Sequence, residues 1–214
     1  MQKFGFLLLL LLFEAVVCRA QEGAEKLKYQ LVEAILEELP TQFAYAKLGP
    51  DGLYHRLPPM VTDTPVVRLL LLDHPYSTDL DYRIVLAEDG TYERTQLLKY
   101  FTAADVAYMR QQLPASKLFR FEQAKFREPW VTVVSLDTMM ALNKRLRRET
   151  EFSSSNLLLQ RYGNDRTTAV WGILLSKNHK RALVNVGGDG WRTSVYVKRG
   201  TTWYKETDLF VVAY

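Results

Sequence analysis

Cysteine and histidine are scarce in this sequence. It contains one cysteine, Cys18, and three histidines among 214 residues. A single cysteine cannot form a disulfide within the chain, and so few thiols and imidazoles argue against a cysteine-rich or multi-histidine metal centre. The fold must therefore be stabilised by its hydrophobic core, and a chain of about this length buries roughly 70% of its surface on folding.

An excess of charge of one sign is also missing. The 28 Lys and Arg residues nearly balance the 24 Asp and Glu residues, which leaves a net charge of +4 at pH 7. Nucleic-acid-binding proteins normally carry a concentrated basic surface, so we expect no nucleic-acid partner. The strongest basic run, at residues 143–148, is better explained as the solvated face of a helix.

The motifs of common hydrolases and cofactor sites are absent. No Gly-x-Ser-x-Gly elbow surrounds the serines, and the sequence has no His-Glu-x-x-His zinc motif. The glycine-rich residues 187–190 lie between two predicted strands, so they indicate a hairpin and not a phosphate-binding loop. We therefore expect no cofactor. A glycosidase, which needs only two carboxylates placed in space, stays open.

The longest hydrophobic run is at the N-terminus. Lys3 precedes the apolar residues 4–12, and small residues follow up to Ala20. This order predicts a secretory signal peptide over residues 1–20, with export to the periplasm or the cell exterior. The run is shorter than the roughly 17–25 residues of a membrane span, so we expect no transmembrane segment after cleavage. Val17 makes a poor lipobox before Cys18, which argues against lipoprotein anchoring there.

Three later segments have helical patterns. Apolar residues recur every three or four positions in residues 24–39, until Pro40 ends the predicted helix. Thr102 is a candidate N-cap for a second helix that we expect Pro114 to end. Residues 137–148 predict a third, basic amphipathic helix.

The remaining patterns predict strands. Residues 66–72 are apolar on both faces, which indicates a central strand, and the other early candidates are residues 82–86, 92–98, 118–126 and 130–136. From residue 168 onward we expect an antiparallel β-meander, with strands at residues 169–175, 181–186, 192–198 and 203–212, the last of them interrupted. The fold class is therefore α+β. We expect one domain over residues 21–214, with a subdivision near residues 153–167.

Several local motifs stand out by their order along the chain. They are Tyr100–Met109 followed by Gln111–Gln112, Phe119–Phe121 with Lys125–Phe126, Leu174–Asn178 followed by Arg181–Val184, and Trp203–Lys205. Together they resemble a family of small exported proteins of Gram-negative bacteria, over about half of the mature chain. The resemblance implies a helix followed by a C-terminal β-meander, and no activity, because the family is uncharacterised. Many relatives have cysteine-glycine pairs at the positions of residues 186–191, so any role of those cysteines is not implied here.

The densest polar cluster lies at residues 73–81. Asp73, Asp79 and Asp81 could form a divalent-cation loop, or a carboxylate could orient His74 as a general base. The spacing lacks the terminal glutamate of an EF-hand, and the segment also fits an ordinary turn, which is the interpretation that we favour.

Aromatic residues crowd the predicted meander. If exposed, they could stack on a sugar or a peptide, and if buried they would form cross-strand pairs, which is the interpretation that we favour. Trp191, beside the glycine turn, is the first choice for exposure. The candidate ligand-binding residues are Trp191, Tyr196 and Trp203.

Two classes of function follow from these patterns. The first is a non-enzymatic binding or structural module, with a glycan, a peptide or an envelope protein as partner. The alternative is a hydrolase with an acidic site in residues 73–81. Carboxylates that enter a pocket beside His74 would favour the enzyme, and carboxylates that stabilise a turn would favour the module. An inhibitor or immunity-type protein is neither supported nor excluded.

Overall fold

A computed structural model describes residues 23–38, 46–48, 54–56, 69–74, 82–141, 167–188 and 190–213. The helices are α1 (residues 23–38), α2 (Arg83–Leu86), α3 (Tyr92–Leu98), α4 (Ala103–Leu118) and α5 (residues 136–141). The strands are β1 (Ala46–Leu48), β2 (Tyr54–Arg56), β3 (Leu69–Leu72), β4 (Val131–Val134), β5 (Thr167–Leu175), β6 (Arg181–Gly188), β7 (Gly190–Arg199) and β8 (Thr202–Ala213).

Six strands form one mixed sheet in the order β4-β3-β5-β6-β7-β8. Strand β3 pairs in parallel with both β4 and β5, whereas every pairing from β5 to β8 is antiparallel. The predicted α+β class, the N-terminal helix, the central strand and the C-terminal meander are confirmed. Strands β1 and β2 form a separate antiparallel pair.

Helices cover the two faces of the sheet. Leu183 pairs with Val195 and Val184 pairs with Ser194, and successive residues of a strand point to opposite faces. On the face of Val184, α1 contributes Leu31, Val32, Ile35 and Leu36 to a core with Val170, Val186, Tyr196 and Trp203. On the face of Leu183 and Val195, α2 to α4 contribute Val85, Leu97, Phe101, Val106 and Met109.

The start of α4 agrees with the sequence, but its end does not. The Thr102 hydroxyl accepts a hydrogen bond from the Asp105 N–H (3.1 Å), and the Asp105 carboxylate accepts one from the Thr102 N–H (3.0 Å). This reciprocal pair is a capping box. The helix continues through Pro114 to Leu118, because burial of Ser116 keeps the last turn packed although proline removes one backbone hydrogen bond.

The predicted hairpin over residues 82–98 is wrong, because both segments are helical. The turn residues that suggested a hairpin connect α2 to α3, and Thr91 caps α3 by accepting the Arg94 N–H at 3.3 Å. Arg94 and Leu97, three positions apart, are the buried residues of α3. Short turns join helices as well as strands, so this local pattern did not distinguish the two.

The predicted strand over residues 118–126 is also wrong. The backbone of this segment leaves α4 extended and then forms a 3-10 turn over Gln123–Lys125, without pairing in the sheet. Phe119, Phe121 and Phe126 surround the ring of Tyr29, with centroids 5.0–6.0 Å from it. The alternation of apolar and polar residues in this segment therefore arises from packing against α1 and not from strand pairing.

Strand β8 is continuous, and the predicted interruption corresponds to two bulges. Thr193 pairs with Phe210 and Ser194 with Asp208, so Leu209 is an extra residue. Val195 pairs with Thr207 and Tyr196 with Lys205, so Glu206 is a second extra residue.

Several predictions lie outside the described residues: the signal peptide at residues 1–20, Asp79 and Asp81, residues 142–148 of the basic helix, and the subdivision near residues 153–166. No helix in the described ranges is long and apolar enough to cross a membrane.

Candidate functional site

The predicted Asp73–His74 pair lies where two parallel strands end. Strands β3 and β4 run side by side and stop at Leu72 and Val134, so Asp73 and Asp137 follow at the same edge. This carboxyl edge is where ligands bind in many sheets with parallel strands. Arg120, from the segment after α4, reaches the same place.

The Asp73 carboxylate contacts His74, Arg120 and the backbone at the start of α5. Its Oδ1 accepts hydrogen bonds from the Leu136 N–H (2.8 Å), from the His74 N–H (2.9 Å) and from the His74 ring Nδ1 (2.8 Å). Arg120 Nη1 lies 3.5 Å from Asp73 Oδ2 and 3.2 Å from Asp137 Oδ2. The group thus joins the end of β3 to the first turn of α5.

These contacts lower the pKa of Asp73. Burial acts to raise the pKa of Asp73, but the hydrogen bonds from the Leu136 backbone and from His74 outweigh it and hold that pKa below its ordinary value. Arg120 Nη1 also lies 3.0 Å from His74 Nδ1, so this nitrogen contacts both a carboxylate and a guanidinium. In the tautomer that donates from Nδ1 to Asp73, the acceptor of the neutral ring is Nε2. That nitrogen lies 3.9 Å from Asp137 Oδ1.

Of the three aspartates of the acidic-site hypothesis, the structure describes only Asp73. Asp73 is about 15% exposed as a side chain, and its oxygen is used to hold a turn and a helix start. Asp79 and Asp81 lie outside the described residues. Within the part of the chain that the structure describes, no three His, Cys, Asp or Glu side chains are grouped to hold a metal ion. The three-aspartate site therefore stays a prediction.

Two of the three aromatic candidates are core residues. Tyr196 and Trp203 pack beneath α1 with almost no exposed surface. The Tyr196 hydroxyl lies 3.3 Å from Glu38 Oε2 at the end of α1, and burial together with that carboxylate raises the pKa of Tyr196. Both side chains are therefore buried, as the preferred interpretation of the sequence expected, and they offer no surface on which a ligand could stack.

Trp191 lies on the other face of the sheet and is half-buried. It pairs with Gly187 of β6 and with Val212 of β8, so the three residues form a row across the strands. Gly187 has no side chain, and the six-membered ring of Trp171 occupies the space above it. A Cβ at residue 187 would lie 2.9 Å from Trp171 Cζ3.

The row continues toward α3. Phe210 precedes Val212 by two residues on β8 and therefore shares its face. The Phe210 ring contacts the exposed ring of Tyr92, with centroids 6.4 Å apart and an interplanar angle of 79°. We call this set the aromatic strip, and its members are Tyr92, Trp171, Gly187, Trp191, Phe210 and Val212.

The sequence analysis identified Trp191 but missed most of the strip. The two-residue period of a strand places Phe210 and Val212 on one face of β8. Only the register of β7 with β8 shows that Trp191 shares this face. Tyr92 was missed because its segment was predicted to be a strand.

The motifs that carry the family resemblance have structural contacts. The Asp105 carboxylate accepts the Lys177 N–H at 2.9 Å, which holds the start of α4 against the β5–β6 turn. The Gln112 amide donates to the Leu175 carbonyl (2.7 Å) and accepts from the Leu175 N–H (3.0 Å). These residues fix α4 on β5.

Comparison of the chain with family models, with curated proteins and with solved structures found no match. The resemblance to small exported proteins therefore stays a prediction.

Proposed function

We propose that this chain is an exported, non-enzymatic binding module whose ligand docks on the aromatic strip. The observation that carries the proposal is that three partly exposed aromatic residues of β5, β7 and β8, Trp171, Trp191 and Phe210, share one face of the sheet. The Phe210 ring contacts the Tyr92 ring, and both Val212 and Tyr92 are exposed.

The composition of the strip defines the class of ligand. None of its six residues is charged, so a charged ligand would lose water without gaining a partner there. Aromatic rings each bury roughly 150–250 Å² when covered, and they are enriched among the residues that dominate binding energy. We infer an uncharged ligand with an apolar surface, such as a neutral oligosaccharide or an uncharged peptide.

A thermal-shift experiment tests the proposal. The purified exported protein is heated with cellohexaose, with chitohexaose, with a capped peptide of alternating threonine and phenylalanine, and with Ca²⁺ and inositol hexakisphosphate as charged probes. We expect an uncharged probe to raise the midpoint, because a ligand at a hundredfold excess over its Kd adds about 2.7 kcal/mol of stability.

The matched variants are Trp191→Ala, within the strip, and Tyr204→Ala, an exposed aromatic of β8 outside it. Trp191→Ala should abolish the shift, and Tyr204→Ala should keep it. A shift that survives Trp191→Ala, or no shift with any uncharged probe, would contradict the proposal. A shift with Ca²⁺ alone would favour a metal site in residues 73–81.

A second candidate function is a hydrolase with its acidic site in residues 73–81. The 2.8 Å contact from Asp73 to His74 Nδ1 favours it, because a carboxylate that orients imidazole leaves Nε2 free to accept a proton. The same protein preparation is therefore assayed with p-nitrophenyl esters and glycosides. Turnover that His74→Ala abolishes would favour the hydrolase over the binding module.

A further inference from the structure

We propose that the last residues of β8 form an interface with a second copy of this chain, by antiparallel pairing of β8 with β8. The contact uses the backbone edge of the sheet, whereas the ligand proposed above would cover its face, and the two surfaces share Phe210 and Val212. Trp191→Ala tests the ligand and substitutions of Val211 test the dimer, so the two proposals can fail separately.

Among the described strands, none pairs with the outer edge of β8. In the described part of the chain β8 pairs with β7 alone, at the end of the sheet. An edge strand presents unpaired N–H and C=O groups, which another extended backbone can bind. The opposite edge, β4, is closed by Gln123, whose amide donates to the Val131 carbonyl (3.1 Å) and accepts the Val133 N–H (2.8 Å).

The first part of β8 is protected against such pairing. The two bulges, at Glu206 and Leu209, interrupt its regular edge. Lys205 and Asp208 add charge there and form an ion pair at 2.6 Å. Bulges and charged side chains are common devices that prevent edge strands from associating.

The last part of β8 has none of these devices. Residues 210–213 pair regularly with β7 and contain no charge, no proline and no bulge. Val211 is 66% exposed and Val212 is 37% exposed. An uncharged, β-branched and exposed strand end offers a second copy the same kind of strand that it presents itself.

A two-fold axis perpendicular to the sheet at Val211 gives a pairing without charges. Val211 then faces Val211 of the partner subunit, and Phe210 faces Val212 of the partner subunit. The symmetry makes the second Phe–Val pair at the same time, and aromatic pairs with β-branched residues are favourable neighbours across strands. The two six-stranded sheets become continuous.

The pairing is short, so the dimer should be weak. Interfaces of small area are typical of transient complexes, and we expect dissociation in the micromolar range. Sedimentation velocity of the full exported chain, over roughly 1 to 300 µM, should show a concentration-dependent shift from monomer to dimer.

Charge substitutions at the centre of the pairing test its geometry. Val211→Lys and Val211→Glu should each weaken association about tenfold, because like charges then stand directly opposite each other. An equimolar mixture of the two variants should restore association, since Lys then faces Glu. Val211→Thr, which keeps the branched shape without charge, is the matched control and should dimerise.

Val211 is exposed, so these variants are expected to keep the unfolding midpoint of the wild type, which is measured alongside. A monomer at every concentration would overturn the proposal. A dimer that Val211→Lys does not weaken, or a mixture that does not reassociate, would also overturn it.

Discussion

At the scale of single residues, Asp73 determines how the end of β3 meets α5. Its folded pKa lies below the ordinary value of 3.8, so its contribution to stability is present above that pH and is lost as pH falls through the folded pKa. We expect Asp73→Asn to lower the free energy of unfolding by about 1–2 kcal/mol at pH 7, because amide oxygen accepts these hydrogen bonds less strongly. The difference from wild type should shrink as the pH falls through the folded pKa of Asp73, below 3.8, because wild-type Asp73 then also becomes neutral.

Urea denaturation at pH 7 and at low pH measures this prediction. Asp137→Asn is the control, because that carboxylate is 69% exposed and should contribute little. Equal losses for Asp73→Asn at both pH values would contradict the role of the ionised carboxylate.

At the scale of the element, β5 depends on a glycine that departs from ideal strand geometry. Gly172 has a φ of +60° within the irregular pairing between Trp171 and Leu174. A Cβ there would lie 2.7 Å from Asn185 Nδ2 and 3.3 Å from the Tyr82 ring. Asn185 cannot move freely, because its Oδ1 accepts the buried Thr193 hydroxyl at 2.7 Å.

We therefore expect Gly172→Ala to lower the free energy of unfolding by about 1–2 kcal/mol for the backbone and about 1–3 kcal/mol more for the clash. Gly200→Ala is the matched control, with a φ of +61° and open space around it, so it should show the backbone cost alone. Equal losses for the two variants, measured by urea denaturation, would mean that β5 and Asn185 adjust without cost.

Local sequence patterns predicted some secondary-structure elements correctly and others wrongly. The cap of α4 and the meander depend on neighbours close in sequence, and both were predicted. The segment at residues 82–98 has the same turn signals as a hairpin, but Val85 and Leu97 pack as helices against the sheet. Packing against a distant strand decided that choice.

At the scale of the whole molecule, α1 is part of the core. Leu31, Val32 and Ile35 are fully buried against the sheet. The described part of this helix starts at residue 23, beyond the predicted cleavage site after Ala20. We expect mass spectrometry of the exported protein to find a chain that starts at Gln21.

Ala20→Tyr should block this cleavage, because signal peptidase sites require small residues. Ala24→Ser, beyond the site, is the control and should be processed normally. A mature chain that starts at Cys18 and carries lipid, or one that retains Met1, would contradict the predicted signal peptide.

The sequence by itself determined the α+β class, the helix before Pro40, the capped start of α4 and the order of the meander strands, because periodicity and caps act between near neighbours. Tertiary structure alone decided which aromatic residues are exposed. Tyr196 and Trp191 both lie on β7. Tyr196 is buried beneath α1, whereas Trp191, on the opposite face of the sheet, is only half-buried. It also brought Arg120 and Asp137 to Asp73, since the parallel pairing of β3 with β4 joins segments that are distant along the chain.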